Sequence, residues 1–334
     1  MTSKETAKKT YERAVVIDGL NVSNWESPAV YKSLHKGKVT AINATIVVWE
    51  DYAKTMDHIA EWLVRFREYG DVITQARSAK DILKAKRDGK TGVILGWQNA
   101  TPIDDRLDRL ALFYELGVRI IQVTYNERNR LGNGCYERRD EGLSHFGVDA
   151  VREMNRLGIL VDLSHVGDRT TLDAAEISEM PVACTHANAR AFVNHVRNKP
   201  GDALKVIAEK GGVIGANAWP TFLRKGYEST VADYVDAIDD LVERIGVDHV
   251  GIGTDYCQDQ PHRFFEWIFA QQGTKFRPLP MDIPDPHYHP EGMETPDTLG
   301  NVAIELGKRG YKPEDIEKVL GGNWMRLFRQ VFRG

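Results

Sequence analysis

The chain has 334 residues, of which 42% are hydrophobic and 28% charged, a composition typical of a soluble globular protein with a large core. A net charge of −4 without a basic stripe argues against a nucleic-acid partner, and the lack of an 18-residue apolar run argues against a membrane span. Three widely spaced cysteines and a polar segment Met1–Lys9, unlike a secretory signal, favour the reducing cytoplasm.

Along the chain, short apolar segments rich in β-branched residues alternate with longer amphipathic segments. This alternation is typical of repeated βα units around a parallel sheet, whose strands are apolar on both faces. The predicted strands are Val15–Leu20, Ala41–Trp49, Gly92–Gln98, Arg119–Tyr125, Ile159–His165, Val182–His186, Val213–Trp219 and His249–Asp255. The predicted helices include Thr55–Glu68, Asp104–Leu116, Asp233–Ile245, Pro296–Gly307 and Pro313–Phe332. Eight strands predict one (β/α)8 TIM barrel spanning residues 1–334.

An open doubly wound sheet is the alternative arrangement of eight such strands. The first strand is followed by Asp18-Gly19-Leu20-Asn21, which is not the GxGxxG turn of a dinucleotide-binding sheet, so we favour the barrel. A stretch rich in proline and aromatic residues, about 257–295, is predicted to be an irregular loop insertion near the active face. Helices are expected to occupy 296–333.

Polar residues stand at the ends of three predicted strands. The fifth ends at His165, the sixth at His186 and the eighth at Asp255, so all three are expected on the rim where barrel enzymes keep their active sites. Two imidazoles and a carboxylate suit a catalytic zinc, which lowers the pKa of a bound water to ~7. Each histidine could alone be a hydrogen-bonded core residue, but the three together favour a metal site.

Four segments carry a resemblance to a known family. They read GILVDLSHVGDRTTLDA, THANARAFVNHVRNKPGDA, VDHVGIGTDY and DIEKVLGGNWMRLFRQV, and they resemble the membrane (renal) dipeptidase family, in order, from about Val16 to the C-terminus. The resemblance implies a (β/α)8 barrel with two zinc ions that hydrolyses dipeptides. It places His165 and His186 among the metal ligands and Asp255 beside the attacking water. It also implies that Arg197 holds the substrate carboxylate, and that the protein is a homodimer.

Half of the family's metal ligands are replaced in this chain. Leu20 and Val22 stand where the family has the histidine and aspartate of its first strand, and Gln98 stands at the bridging glutamate. Leucine and valine cannot bind a metal, and a neutral amide cannot bridge two cations as a carboxylate does. We therefore expect one zinc or other divalent ion, held by His165, His186 and Gln98.

Tyr125, Asn99 and Asn126 are expected to contact the substrate, with Tyr125 at the position of a substrate-polarising histidine. The predicted function is hydrolysis of an amide bond in a small carboxylate-bearing substrate. Two alternatives remain open at this point. One is a non-peptidase enzyme of amino-acid-derivative catabolism, such as a lyase or isomerase, and the other is a non-catalytic binding protein.

Three further features have both a functional and a structural interpretation. Cys135 could be a nucleophile, but nothing in the sequence places a histidine beside it. His287 and His289 would point to the same side of an extended segment and could replace lost ligands, although an exposed loop is favoured. Trp49 and Trp219 end predicted strands and could form apolar walls of the pocket or belong to the core.

Overall fold

A computed structural model describes residues 3–273 and 289–333. Within these ranges all nine strands are parallel. They are β1 Ile17–Asn21, β2 Ala41–Val47, β3 Ile73–Gln75, β4 Thr91–Trp97, β5 Val118–Gln122, β6 Leu160–Asp162, β7 Ala183–Cys184, β8 Val213–Asn217 and β9 Val250–Gly253.

Eight of these strands close into a ring. β1 pairs with both β2 and β9, β2 pairs with β4, and the remaining neighbours follow in chain order up to β9. β3, which was not predicted, pairs with the first residues of β4 and lies outside the ring. The predicted (β/α)8 barrel is confirmed, and a closed ring excludes the open sheet.

Helices surround the barrel. They are α1 Ser3–Arg13, α2 Pro28–Lys36, α3 Tyr52–Glu68, α4 Ala79–Arg87, α5 Asp108–Glu115, α6 His145–Leu157, α7 Asp168–Ile177, α8 Gly201–Glu209, α9 Val231–Ile245, α10 His262–Phe269, α11 Gly300–Lys308, α12 Pro313–Glu317 and α13 Asn323–Val331. Throughout 3–273 and 289–333, no helix is both long and apolar enough to cross a membrane.

The last helix closes one end of the barrel. Trp324 of α13 is fully buried, and its Nε1 donates a hydrogen bond to the Ile252 carbonyl at 3.0 Å. It packs with residues at the starts of the strands, such as Ile17 and Leu160. The single predicted helix Pro313–Phe332 is broken at Gly321, where a Cβ would collide with the Val15 carbonyl. Because α13 fills the N-terminal end, the cavity can open only at the C-terminal end.

The region predicted to be irregular after the last strand contains one helix in the part that the structure describes, 257–273 and 289–295. α10 runs His262–Phe269 and buries Phe265 and Ile268. Its dense aromatic sequence, preceded by Pro261, conceals the helical spacing of these two residues. His287 lies outside the described residues.

Candidate active site

A cavity of about 650 Å³ opens at the C-terminal end of the barrel. Six of the eight predicted site residues line it: Gln98, Tyr125, Asn126, His165, Arg197 and Asp255. His186 is fully buried directly behind His165. Asn99 is buried outside the lining, where its Oδ1 accepts a hydrogen bond from Asn129 Nδ2 at 2.9 Å. The structure therefore brings seven of the eight to one place.

Three residues of the site have left-handed backbone conformations. The φ angles are 57° at Asn126, 56° at His165 and 61° at Asp255, each just beyond the end of its strand. This region costs a residue with a Cβ on the order of 1–3 kcal/mol and is concentrated at functional sites. The surrounding hydrogen bonds must therefore hold these side chains in place against their local preference.

The two predicted metal-ligand histidines face one another. His165 Nε2 and His186 Nε2 are 2.9 Å apart. His165 Nδ1 lies 2.6 Å from Asn126 Oδ1, an acceptor, so Nδ1 carries the proton and Nε2 presents its lone pair. His186 Nδ1 lies 2.8 Å from Thr185 Oγ1.

Asp162 determines the tautomer of His186 through Thr185. Four donors point at its two oxygens, namely the backbone N–H and hydroxyl of both Ser164 and Thr185. When the Asp162 carboxylate is ionised, its two oxygens accept all four of these hydrogen bonds. Thr185 Oγ1 then donates to the ionised Asp162 at 2.5 Å and accepts from His186 Nδ1 at 2.8 Å. Both imidazoles then turn their Nε2 lone pairs toward each other, which is how two nitrogen ligands of one metal ion are oriented.

The charge state of these groups suits metal binding. Burial lowers the pKa of His165 and His186 well below the ordinary imidazole range, and the Arg197 charge lowers it further. The imidazoles are therefore neutral at pH 7, as metal ligands must be. Burial raises the pKa of Asp162, while the hydrogen bonds from Thr185 and Ser164 oppose that shift.

The same hydrogen-bond arrangement recurs beneath Asp255. Asp18, the second residue of β1, accepts from the backbone N–H and hydroxyl of Thr254 at 2.8 and 2.7 Å. Burial raises the pKa of Asp18 to about 7 despite hydrogen bonds that lower it. Thr185 precedes His186 and Thr254 precedes Asp255, so each buried aspartate fixes the strand end that carries a predicted site residue. Sequence reasoning missed both aspartates, although a threonine before each site residue was a visible signal.

Arg197 is a buried cation without a carboxylate partner among the described residues. It is 2% exposed, its Nη2 donates to the His186 carbonyl at 3.2 Å, and its guanidinium lies 5.4 Å from the centre of the Phe222 ring. Its Nη1 has no hydrogen-bond partner in the described part of the chain. An unpaired buried charge is costly, and Arg197 lines the cavity, so an anionic group bound beside it there would supply the missing partner.

Asp255 provides a carboxylate in the same cavity. Its Oδ2 accepts a hydrogen bond from Asn217 Nδ2 at 3.4 Å. Burial raises the pKa of Asp255 to about 6, while the Arg197 charge and the Asn217 hydrogen bond lower it. A carboxylate with this pKa can exchange a proton near neutral pH.

Gln98 and Tyr125 complete the polar side of the cavity. Gln98 Nε2 donates to Thr45 Oγ1 at 3.1 Å, and no described residue donates to its Oε1. The Tyr125 ring stacks on His165 with centroids 4.2 Å apart. Burial raises the pKa of Tyr125 well above the phenol range, so its hydroxyl is neutral.

Apolar packing occupies the positions of the family's first-strand ligands. Leu20 and Val22 are 2% and 6% exposed, and Val22 belongs to an apolar cluster with Trp219 and Cys257. Within the described ranges, no group of three or more His, Cys, Asp or Glu side chains is arranged to hold a metal ion. Of the predicted metal ligands, His165 and Gln98 line the cavity and His186 lies directly behind His165.

The other candidates have structural surroundings. His289 is buried outside the cavity lining, and its Nε2 accepts from the Cys257 backbone at 3.0 Å. Burial lowers the pKa of His289 to about 3. Burial also raises the pKa of the Cys135 thiol, whose Sγ lies 3.8 Å from Asn126 Oδ1, and this disfavours a reactive thiolate.

Known proteins resemble this chain in sequence and in fold. A crystal structure of an amidohydrolase from Pseudomonas aeruginosa superposes with a TM-score of 0.93 and 38% identity, covering 99% of both chains. A dipeptidase, tcpJ, from Claviceps purpurea is 31% identical over 79% of this chain and 56% of its own length. Dipeptidase 3 from Mus musculus is 29% identical over 72% of this chain and 45% of its own length.

The chain thus spans about half the length of the curated relatives it matches. Residues 20–266 match the model of the membrane dipeptidase family, peptidase family M19. Together with the 31% identity over 79% of the chain, that match shows that this chain belongs to the membrane dipeptidase family.

Proposed function

We propose that this protein is a metal-dependent hydrolase that cleaves the amide bond of a small, carboxylate-bearing substrate such as a dipeptide, using one metal ion. The observation that carries the proposal is the pair of facing imidazoles, His165 and His186, beside a cavity that also contains Arg197 and Asp255. Family membership supports the reaction class.

His165, His186 and the Oε1 of Gln98 would hold the ion. The imidazoles are neutral, and Asn126 and Thr185 fix both Nε2 atoms as ligands, as the outer partners of metal-bound histidines do. When bound, a zinc ion supplies a Lewis acid and lowers the pKa of water to ~7. Leu20 and Val22 offer no ligand for the second ion that the resemblance implies.

The chain's own side chains would do the rest. Arg197 Nη1 binds the substrate carboxylate and thereby sets the position of the amide. The Asp255 carboxylate accepts a proton from the attacking water and returns it to the leaving nitrogen. Tyr125 and Asn126 contact the substrate from the wall beside His165. Dimer formation and a cytoplasmic location remain predictions of the sequence.

Metal analysis combined with substrate turnover tests the proposal. The purified protein is expected to bind about one zinc ion per chain, and the zinc-loaded protein should hydrolyse dipeptides with a free C-terminal carboxylate. The variants His165→Ala and His186→Ala are expected to lose both the ion and the activity. A zinc-loaded protein that cleaves no amide across a broad dipeptide panel would rule the proposal out.

The hydroxyl between Asp162 and His186 gives a sharper test of the metal site. Thr185→Val removes it, and Thr254→Val is the matched control because its hydroxyl bonds Asp18 but no imidazole. Each variant should lower the free energy of unfolding by roughly 1–3 kcal/mol, since buried acceptors lose a partner. Only Thr185→Val should also weaken zinc binding, by about 10- to 100-fold. Competition with a chromogenic chelator measures the zinc affinity of both variants. Equal zinc affinity in both variants would contradict the proposal that His186 is a metal ligand oriented by Thr185.

A further inference from the structure

One wall of the cavity is apolar and largely aromatic. It is formed by residues from the ends of β1 and β2, the segment after β8, and α10: Val22, Val48, Trp49, Trp219, Phe264, Ile268 and Phe269. We call these seven residues the apolar wall. Trp49, Phe264 and Phe269 are only partly buried, so their rings remain accessible from the cavity. Water-accessible aromatic surface inside a cavity favours an apolar ligand group.

Hydrogen bonds hold this wall in place. Trp49 Nε1 donates to the Ile268 carbonyl at 3.2 Å, which ties the end of β2 to α10. The backbone N–H groups of Val48 and Trp49 donate to Glu50 Oε2 at 2.5 and 3.0 Å. These bonds fix the end of β2 against α10, which lowers the cost of ordering this part of the wall when a ligand binds.

Tyr125 separates the apolar wall from the metal-binding histidines. One side of its ring stacks on His165 at 4.2 Å between centroids, and Trp49 meets it edge-on at 5.0 Å. Consider a substrate whose amide lies beside His165 and whose carboxylate is bound by Arg197. Its acyl portion, on the other side of the amide, would extend past Tyr125. The wall thus lies where the acyl side of the scissile amide would reach.

We propose that the apolar wall is a specificity subsite for a large aromatic or branched group on the acyl side of the cleaved amide. This inference rests on the proposed function. The substrate class is then an amide of an amino acid whose acyl part is bulky and apolar. This class includes dipeptides with an apolar N-terminal residue. The cavity of about 650 Å³ lies within the range of roughly 300–1,000 Å³ typical of sites for drug-sized ligands, which leaves room for such a group.

A substrate series measured with the zinc-loaded wild-type protein tests this. We expect kcat/KM to rise from Gly-Ala through Leu-Ala to Phe-Ala. Phe-Ala should exceed Gly-Ala by at least about 100-fold, since a single methylene already changes discrimination in an apolar pocket by roughly 10- to 200-fold. Equal turnover of the three, or a preference for Gly-Ala, would overturn the inference and leave the proposed function standing. Hydrolysis of none of them would instead count against the proposed function.

Variants of residues on α10 test whether the apolar wall causes the preference for Phe-Ala over Gly-Ala. Phe264→Ala is expected to lower the ratio of kcat/KM for Phe-Ala over Gly-Ala by at least about tenfold. Trp267→Ala is the matched control, because Trp267 lies on the same helix but does not line the cavity. It should leave that ratio unchanged. A ratio that falls equally in both variants, with their Tm values matched, would contradict the assignment.

Discussion

Replacing Arg197 with methionine is expected to lower kcat/KM for a dipeptide by roughly 100- to 1,000-fold, equivalent to about 3–4 kcal/mol. The buried guanidinium has a free Nη1 and, within the described ranges, no ion pair, so a substrate carboxylate would be its counter-ion. For the same dipeptide with an amidated C-terminus, the substitution should change kcat/KM little, because this substrate has no carboxylate for Arg197 to bind. Steady-state kinetics on the two substrates gives the comparison.

Arg190→Met is the matched control for this prediction. Arg190 lies seven residues before Arg197 and forms a two-pronged ion pair with Asp168 at 2.5 and 2.7 Å. Arg190→Met should lower the Tm, but it should change kcat/KM by the same factor for the dipeptide with a free C-terminal carboxylate and for the amidated dipeptide. Arg197→Met should instead keep or raise the Tm, because it removes an unpaired buried charge. If both substrates lost activity equally in Arg197→Met, the carboxylate role would be wrong.

Asp255→Asn is expected to lower kcat by about 10²- to 10⁴-fold, the usual contribution of general acid–base catalysis. In the wild-type protein Asp255 must be ionised to accept a proton. Since burial raises its pKa to about 6, activity should rise with pH through about 6 and level off above it. A pH profile of kcat between pH 4.5 and 8 measures this, and the residual activity of Asp255→Asn should lack that limb.

Asp259→Asn provides the control for backbone effects at this position. Asp259 also has a left-handed conformation, with φ of 59°, but its carboxylate accepts from Ser27 Oγ outside the cavity. Its replacement should leave kcat and the pH profile unchanged. If kcat of Asp255→Asn still rises with pH through about 6, a group other than Asp255 accepts the proton.

The sequence was most informative about the barrel and its rim. Eight continuously apolar segments correspond to the eight ring strands, because strands buried on both faces leave a strong compositional signal. His165 and His186 were recognised as a pair because parallel strands end on the same rim. Their facing Nε2 atoms, 2.9 Å apart, agree with that reasoning.

What the sequence did not reveal depends on partners distant in the chain. β3 has three residues and lies outside the ring, so it carries too little periodicity to detect. The role of Asp162 depends on Thr185, 23 positions later and on the next strand. The apolar wall combines residues from four separate segments, which only the fold brings together. Left-handed conformations at His165 and Asp255 have no local sequence signal, because nonlocal contacts enforce them.

The most direct test of the central claim is anomalous diffraction at the zinc absorption edge from crystals of the zinc-loaded protein. The account predicts one strong peak per chain, between Nε2 of His165 and Nε2 of His186 and within reach of Gln98. A map in which that position is empty, recorded on protein that retains full amide hydrolysis, would contradict it.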